Sequence, residues 1–279
     1  MRNRALVLPL ALATAIGAVR AQEPAAWLAA LVDRAGRYVE AYEKAFSAIV
    51  CEERQTQRLV RPDGRVEKQR DLVSDFLLVN VGTERVLAFR DVIDVDGKPV
   101  RNRQERLRKL FIDNPRTAVK QAQAISKESG RFNIGPSRTP NSPLVPLQVL
   151  HPRTAPGFRF ALSAGGLTFE ELGSPSLVRH KALGHTRDMP SRGSCVVDPE
   201  TGRVLSVTLT AGGAAAKYNV RFDVRYAEEP ALGLLVPAEM TEECWRPARP
   251  RDSRLVVVSS YSNFRRFQVT TEEQIKIPK

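Results

Sequence analysis

KYNVRFDVRY, residues 217–226, decides the fold. Tyr218, Val220, Phe222, Val224 and Tyr226 fall on one side of an extended chain. Lys217, Asn219, Arg221, Asp223 and Arg225 fall on the other. Side chains alternate across a strand, so this pattern describes a sheet with one sheltered face and one wet face. Segments of similar character surround it. Downstream of Gly157 they are 158–163, 177–187, 194–198, 203–210, 234–245 and 254–262. Upstream they are 49–60, 65–80 and 86–95. Pro62-Asp63-Gly64 joins the first two of these as a hairpin turn, and Asp96-Gly97 follows the third as a tight turn.

Two other regions break the β pattern. From Trp27 the apolar residues Leu28, Leu31, Val32, Ala35, Tyr38, Val39, Tyr42, Phe46 and Ile49 recur at helical spacing. Pro24 suits the first turn of that helix. Residues 101–156 form an insertion. Within it 102–112 and 115–128 have helical patterning, and 133–157 hold six prolines with room for one short helix near 145–150. The expected fold class is α+β: a large curved antiparallel sheet, or half-barrel, covered by a long N-terminal helix and a helical insertion.

Residues 1–21 carry Arg2 and Arg4, then an apolar stretch, then Val19 and Ala21 at the small-residue positions of a cleavage site. This is the pattern of a secretory signal peptide. It is too short to span a bilayer, which takes about 20 apolar residues. The expected mature chain is 22–279, a single domain without a transmembrane anchor, periplasmic or secreted. Removing three arginines lowers the formal charge from +12 to +9. A basic surface favours acidic partners. The compartment and the lack of a reader motif argue against nucleic acid.

An exported chain permits a disulfide. Cys51, Cys195 and Cys244 allow three pairings, of which Cys195–Cys244 is favoured because both lie in strands of the C-terminal half. The common nucleophile, zinc, phosphate-loop and dinucleotide motifs are missing. His180 and His185 fall five apart in one expected strand, on opposite faces, and so do not form a joint metal site. No catalytic, metal or cofactor residue is assigned. The residues that remain as candidates line a sheet face: Phe76, Leu78, Phe89, Phe111, Phe160, Val220, Phe222 and Val224. An apolar pocket with a few orienting polar groups suits a small amphiphile. Arg106, in the basic run 101–109, is the candidate for an anionic headgroup.

LGLLVPAEMTEECW at 232–245 and VVVSSYSNFRRFQV at 256–269 resemble the closing strands of the periplasmic lipoprotein-sorting (LolA-like) superfamily. SDFLLVNVG at 74–82 and FRDVIDVDGKPVRNRQERLRKLF at 89–111 are similar to segments of uncharacterised secreted bacterial proteins. The resemblance implies a half-barrel with a hydrophobic cavity that binds or carries acyl chains without catalysis. The chain is longer than the simple carriers, and its insertion is rich in arginine and proline. Two other readings stand beside a lipid or amphiphile carrier: an envelope-sensing module that docks a protein partner, and a hydrolase of unfamiliar type.

Overall fold

The computed structural model describes residues 16–46, 49–81, 85–102, 129–136, 142–182, 185–214 and 216–266. Helix α1 spans Ile16–Phe46. Thirteen strands follow: β1 Ile49–Val60, β2 Val66–Val81, β3 Arg85–Val95, β4 Lys98–Pro99, β5 Phe158–Ser163, β6 Gly166–Glu171, β7 Val178–Ala182, β8 His185–Met189, β9 Ser191–Val197, β10 Val204–Ala211, β11 Asn219–Glu229, β12 Leu234–Trp245 and β13 Arg254–Arg266. Eleven of them form one sheet in the order β4-β3-β2-β1-β13-β12-β11-β10-β9-β6-β5. Every pairing is antiparallel. The sheet does not close, so β4 and β5 are its edges. The expected α+β class, a large antiparallel sheet with a long N-terminal helix, is the architecture of the chain.

The alternation in 217–226 becomes burial. Val220, Phe222, Val224 and Tyr226 of β11 are buried, and Arg221 and Arg225 are exposed. The register carries this order across the sheet. One row of directly paired residues runs Arg70, Gln57, Val257, Glu242, Phe222, Leu209, Gly193, Phe169, Phe160, from β2 to β5. The row is polar at its β1–β2 end and apolar beyond β11, a division that recurs in the functional residues.

Helix α1 covers the apolar part. Leu31, Ala35, Val39, Tyr42 and Phe46 are buried at steps of three and four, so they form one stripe. Tyr42 is its centre: it stacks on Tyr38 at 5.7 Å, meets Phe46 at 5.6 Å and sets its edge against Tyr226 of β11 at 6.3 Å. The solvent side carries the acid-before-base pairs Asp33–Arg37 and Glu40–Lys44, four residues apart. Residues 142–150 complete the cover. Leu144, Leu147, Val149 and Leu150 join the main core, and Pro146–Val149 form the short helix expected near 145–150, of 3-10 type.

Several expectations change. The helix runs from Ile16, ahead of Pro24, and stops at Phe46, leaving Ile49 to open β1. β6 was not expected: its six residues carry only Leu167 and Phe169 inward, and Gly165-Gly166 in front of it reads as a break. The expected strand 177–187 is instead a separate hairpin, β7–β8, in which His180 faces Arg187 and His185 faces Ala182. The Cys195–Cys244 disulfide is not formed. Cys195 lies on β9 and Cys244 on β12, with β10 and β11 between them. Three strand spacings separate them by about 14 Å across the sheet, and the register sets Cys195 level with Met240, four residues along β12 from Cys244. A disulfide needs Cα atoms within about 7 Å. All three cysteines are buried and none is bonded to another. The helices expected at 102–112 and 115–128 lie outside the described residues.

Gly193 is the tightest point of the long row. A Cβ there would sit 1.9 Å from the Thr208 carbonyl oxygen and 2.8 Å from Phe169 Cζ, so the Phe169 ring lies over the bare backbone. Gly193→Ala is expected to lower stability by about 1–3 kcal/mol through overpacking. The shift of the urea midpoint measures it.

Candidate functional site

Two features of the helix-covered side have the chemistry of a site. The first is a polar layer built from the inward residues of β1, β2, β3, β12 and β13. Glu53 of β1 is 0 % exposed and Arg90 of β3 is 4 % exposed. They form a bidentate pair: Arg90 Nε donates to Glu53 Oε2, and Nη2 donates to Oε1 at 2.7 Å. Burial works against the Arg90 charge, but the Glu53 carboxylate more than offsets this and holds the guanidinium above its ordinary range. Arg90 also lies over the Phe76 ring at 5.9 Å, and Phe76 meets Tyr261 edge-on at 5.7 Å. Tyr261 pairs with Glu53 across β1–β13. Its hydroxyl is pushed well above the usual phenol value by burial and by the Glu53 charge.

Glutamines extend the layer. Gln57 Nε2 donates to Gln55 Oε1 at 2.6 Å and to Asn133 Oδ1 at 3.0 Å. Gln55 Nε2 donates to Ser259 Oγ at 3.2 Å. The Ile134 backbone N–H donates to Gln57 Oε1 at 2.9 Å, and Ser129 Oγ donates to the Arg90 carbonyl. Residues 129–136 of the insertion are therefore tied to this half of the sheet by hydrogen bonds, whereas residues 142–150 hold the other half by apolar packing. Glu242 of β12 is also buried there, and its charge reaches Arg90.

The second feature is an apolar groove of about 500 Å³ between the first half of α1 and residues 150–160. Ala25, Leu28, Ala29, Val32 and Gly36 form one wall. Leu150, Pro152, Ala155, Pro156 and Phe160 form the other, and Asp33 stands at the rim. Helical spacing aligns the first wall, and prolines stiffen the second. A polar clamp sits beside it. His151 Nδ1 accepts from the Arg153 N–H at 3.1 Å, and Nε2 lies 3.5 Å from Glu43 Oε2. Arg153 Nη2 lies 3.7 Å from the same oxygen. Burial first, then the Arg153 charge, keeps the His151 pKa below 6.5, against the pull of Glu43 and Glu40.

The structure separates the residues singled out from sequence. Phe76, Val220, Phe222 and Val224 are buried in the main core and Phe160 packs against it. Phe160 alone of these lines the groove. Phe89 pairs with Leu77 while Phe76 pairs with Arg90, so Phe89 faces the opposite side of the sheet from Phe76. Leu78 stands on β2 opposite Ala88, its side chain outside the described set. Arg106 and Phe111 lie outside the described residues. Leu28 and Val32 of the groove belong to the helix stripe legible in sequence, but Ala25, Ala29 and Gly36 do not, and nothing in the sequence showed that residues 150–160 would leave this part of the helix uncovered. The buried Glu53 and Arg90 were not singled out from sequence. Their signal is inward parity: Cys51, Glu53, Gln55 and Gln57 share one face of β1. Among the described residues no three His, Cys, Asp or Glu side chains are placed to hold a metal ion. The Cys51 thiol is raised by burial and the Glu53 charge, and Cys195 is pushed up to about 12 by burial, so neither is an activated nucleophile.

Breaking the ion pair from one side leaves a buried charge. Arg90→Met is expected to cost about 3–5 kcal/mol, and the Glu53→Leu/Arg90→Met double variant to recover most of it. Chemical denaturation of the three proteins checks this. The unfolded chain binds a proton at His151 more readily than the folded one, so this contribution to stability weakens as pH falls below 6.5. His151→Gln is expected to flatten that part of the urea-midpoint profile against pH.

The sequence matches no protein-family model and no curated protein. Comparison with solved structures finds a DUF1329 family protein from Desulfovibrio piger, at 12% identity and a TM-score of 0.34. The match covers 88% of this chain and 95% of that one.

Proposed function

We propose that the protein is a non-catalytic binding or carrier protein for an amphiphile, held in the groove between α1 and residues 150–160. The groove carries the reading: its volume of about 500 Å³ lies within the range of small-molecule sites, and its walls are almost wholly apolar. Among the described residues, the core beneath α1 is packed with buried side chains, and the groove lies at its rim. A polar headgroup would project past Asp33 into solvent while the tail replaces water along Leu28, Val32 and Phe160. The proposal agrees with the LolA-like resemblance of the C-terminal strands, and with export to a periplasm through residues 1–21. No helix among the described residues is long and apolar enough to cross a membrane.

The test is titration with a dansyl-labelled undecanoic acid, whose emission rises on entering an apolar site. The wild-type chain is expected to bind it. Ala29→Trp, which fills the groove from an exposed position on α1, is expected to weaken binding tenfold or more, on the order of 1.4 kcal/mol, with the thermal midpoint unchanged. Absence of binding by the wild-type chain, or equal binding by both proteins, would overturn the reading.

A further inference from the structure

One end of the sheet is strongly basic. Leu59, Leu255, Cys244, Val220 and Ala211 pair in a row that closes β1, β13, β12, β11 and β10 at the same level. The connections beyond that row, 61–68, 212–218 and 246–254, hold eight basic residues against three acidic ones. They lie side by side: Ser253 Oγ donates to Glu67 at 2.7 Å, and an open cleft of about 510 Å³ between them has Arg61 and Arg251 on its walls with Asp63 and Glu67. The turns at the opposite end, 198–203 and 227–233, hold four acidic residues, which are offset by Arg203 and by Arg34 and Arg266, whose side chains donate to the Pro199 and Leu232 carbonyls.

The basic end is not neutralised from within. Arg65 lies 3.8 Å from Asp63 and Arg246 lies 3.2 Å from Asp252. Arg61, Lys217, Arg249, Arg251 and Arg254 are exposed and make no ion pair among the described residues. Cations also converge. Lys217 Nζ lies 5.5 Å and Arg246 Cζ 5.8 Å from the Tyr218 ring. The Tyr218 ring holds both cations side by side and so concentrates positive charge at this end.

We propose that this end of the sheet is a docking surface for a bilayer containing anionic phospholipid. The cations are spread over the ends of five adjacent strands, a width of about 20 Å. A fluid surface can bring a phosphate to each of them, whereas a small rigid anion can meet only one or two. The inference stands apart from the groove, since it needs no bound amphiphile.

Cosedimentation with phosphatidylcholine vesicles, with and without phosphatidylglycerol, tests it. Binding is expected only with phosphatidylglycerol, and is expected to vanish in about 1 M salt, where the screening length falls to about 3 Å. Each basic residue at such a surface contributes roughly fivefold to partitioning. Arg249→Gln/Arg251→Gln is therefore expected to weaken binding about 25-fold. Arg37→Gln/Arg54→Gln, which removes the same net charge from α1 and the middle of β1, is expected to change it little. Three results would overturn the proposal: no dependence on phosphatidylglycerol, equal losses in the two double variants, or retention by heparin without vesicle binding. The last would assign the surface to a soluble polyanion.

Discussion

Antiparallel pairing places every second residue of each strand on the same face, and the rest of the molecule depends on that constraint. A slip of one residue in β11 would turn Val220, Phe222 and Val224 outward and bring Arg221, Asp223 and Arg225 in. The register prevents it by matching Phe222 to Leu209 on one side and to Glu242 on the other. The helix-covered face therefore has two compositions, apolar from β11 to β6 and polar around β1. Each half has the cover its chemistry requires. The aromatic stripe of α1 and residues 142–150 bury the apolar half. Residues 129–136 approach the polar half with hydrogen-bonding groups, because an apolar lid would leave Gln57 and the Arg90 carbonyl unpartnered.

The Glu53–Arg90 pair is a costly way to fill a core, since both charges lose their water. Its geometry limits the cost: two parallel hydrogen bonds satisfy the carboxylate, and Phe76 stacks under the guanidinium. The pair joins β1 to β3 past β2, so it fixes the relation of three strands at once. It also shapes its neighbours' chemistry. The Glu53 charge helps keep the Tyr261 hydroxyl and the Cys51 thiol protonated.

Function falls to the margins of this core. The groove lies between residues 25–36 of α1 and residues 150–160, which meet the helix closely at Gly36, against the Leu150 carbonyl and Pro152. The charged end exists because antiparallel connections bring segments remote in sequence to one level. The two proposed sites, the apolar groove and the basic end, therefore both lie outside the packed core.

The strand pattern was legible because period-two alternation is a local property. The observed β1, β5 and β12 have the bounds expected from their residues, and Asp96-Gly97 makes its turn with positive φ at both residues. The stripe of α1 was legible for the same reason, at a period of 3.6. β6 was not, since two inward side chains are too few to show a period, and its partner β9 lies beyond the β7–β8 hairpin in sequence. The candidate site was largely hidden. Phe76, Val220, Phe222 and Val224 are correctly inward, yet whether an inward side chain lines a cavity or packs shut depends on what covers it. Glu53 and Arg90 are 37 residues apart, and no local rule says that two charges will meet in a core. Sequence alone determined the alternating strands, the amphipathic helix and the excess of basic charge. Only the tertiary structure decided the sheet order, the buried ion pair, the separation of Cys195 from Cys244 and the groove, because each depends on contacts between segments that meet only when the chain folds.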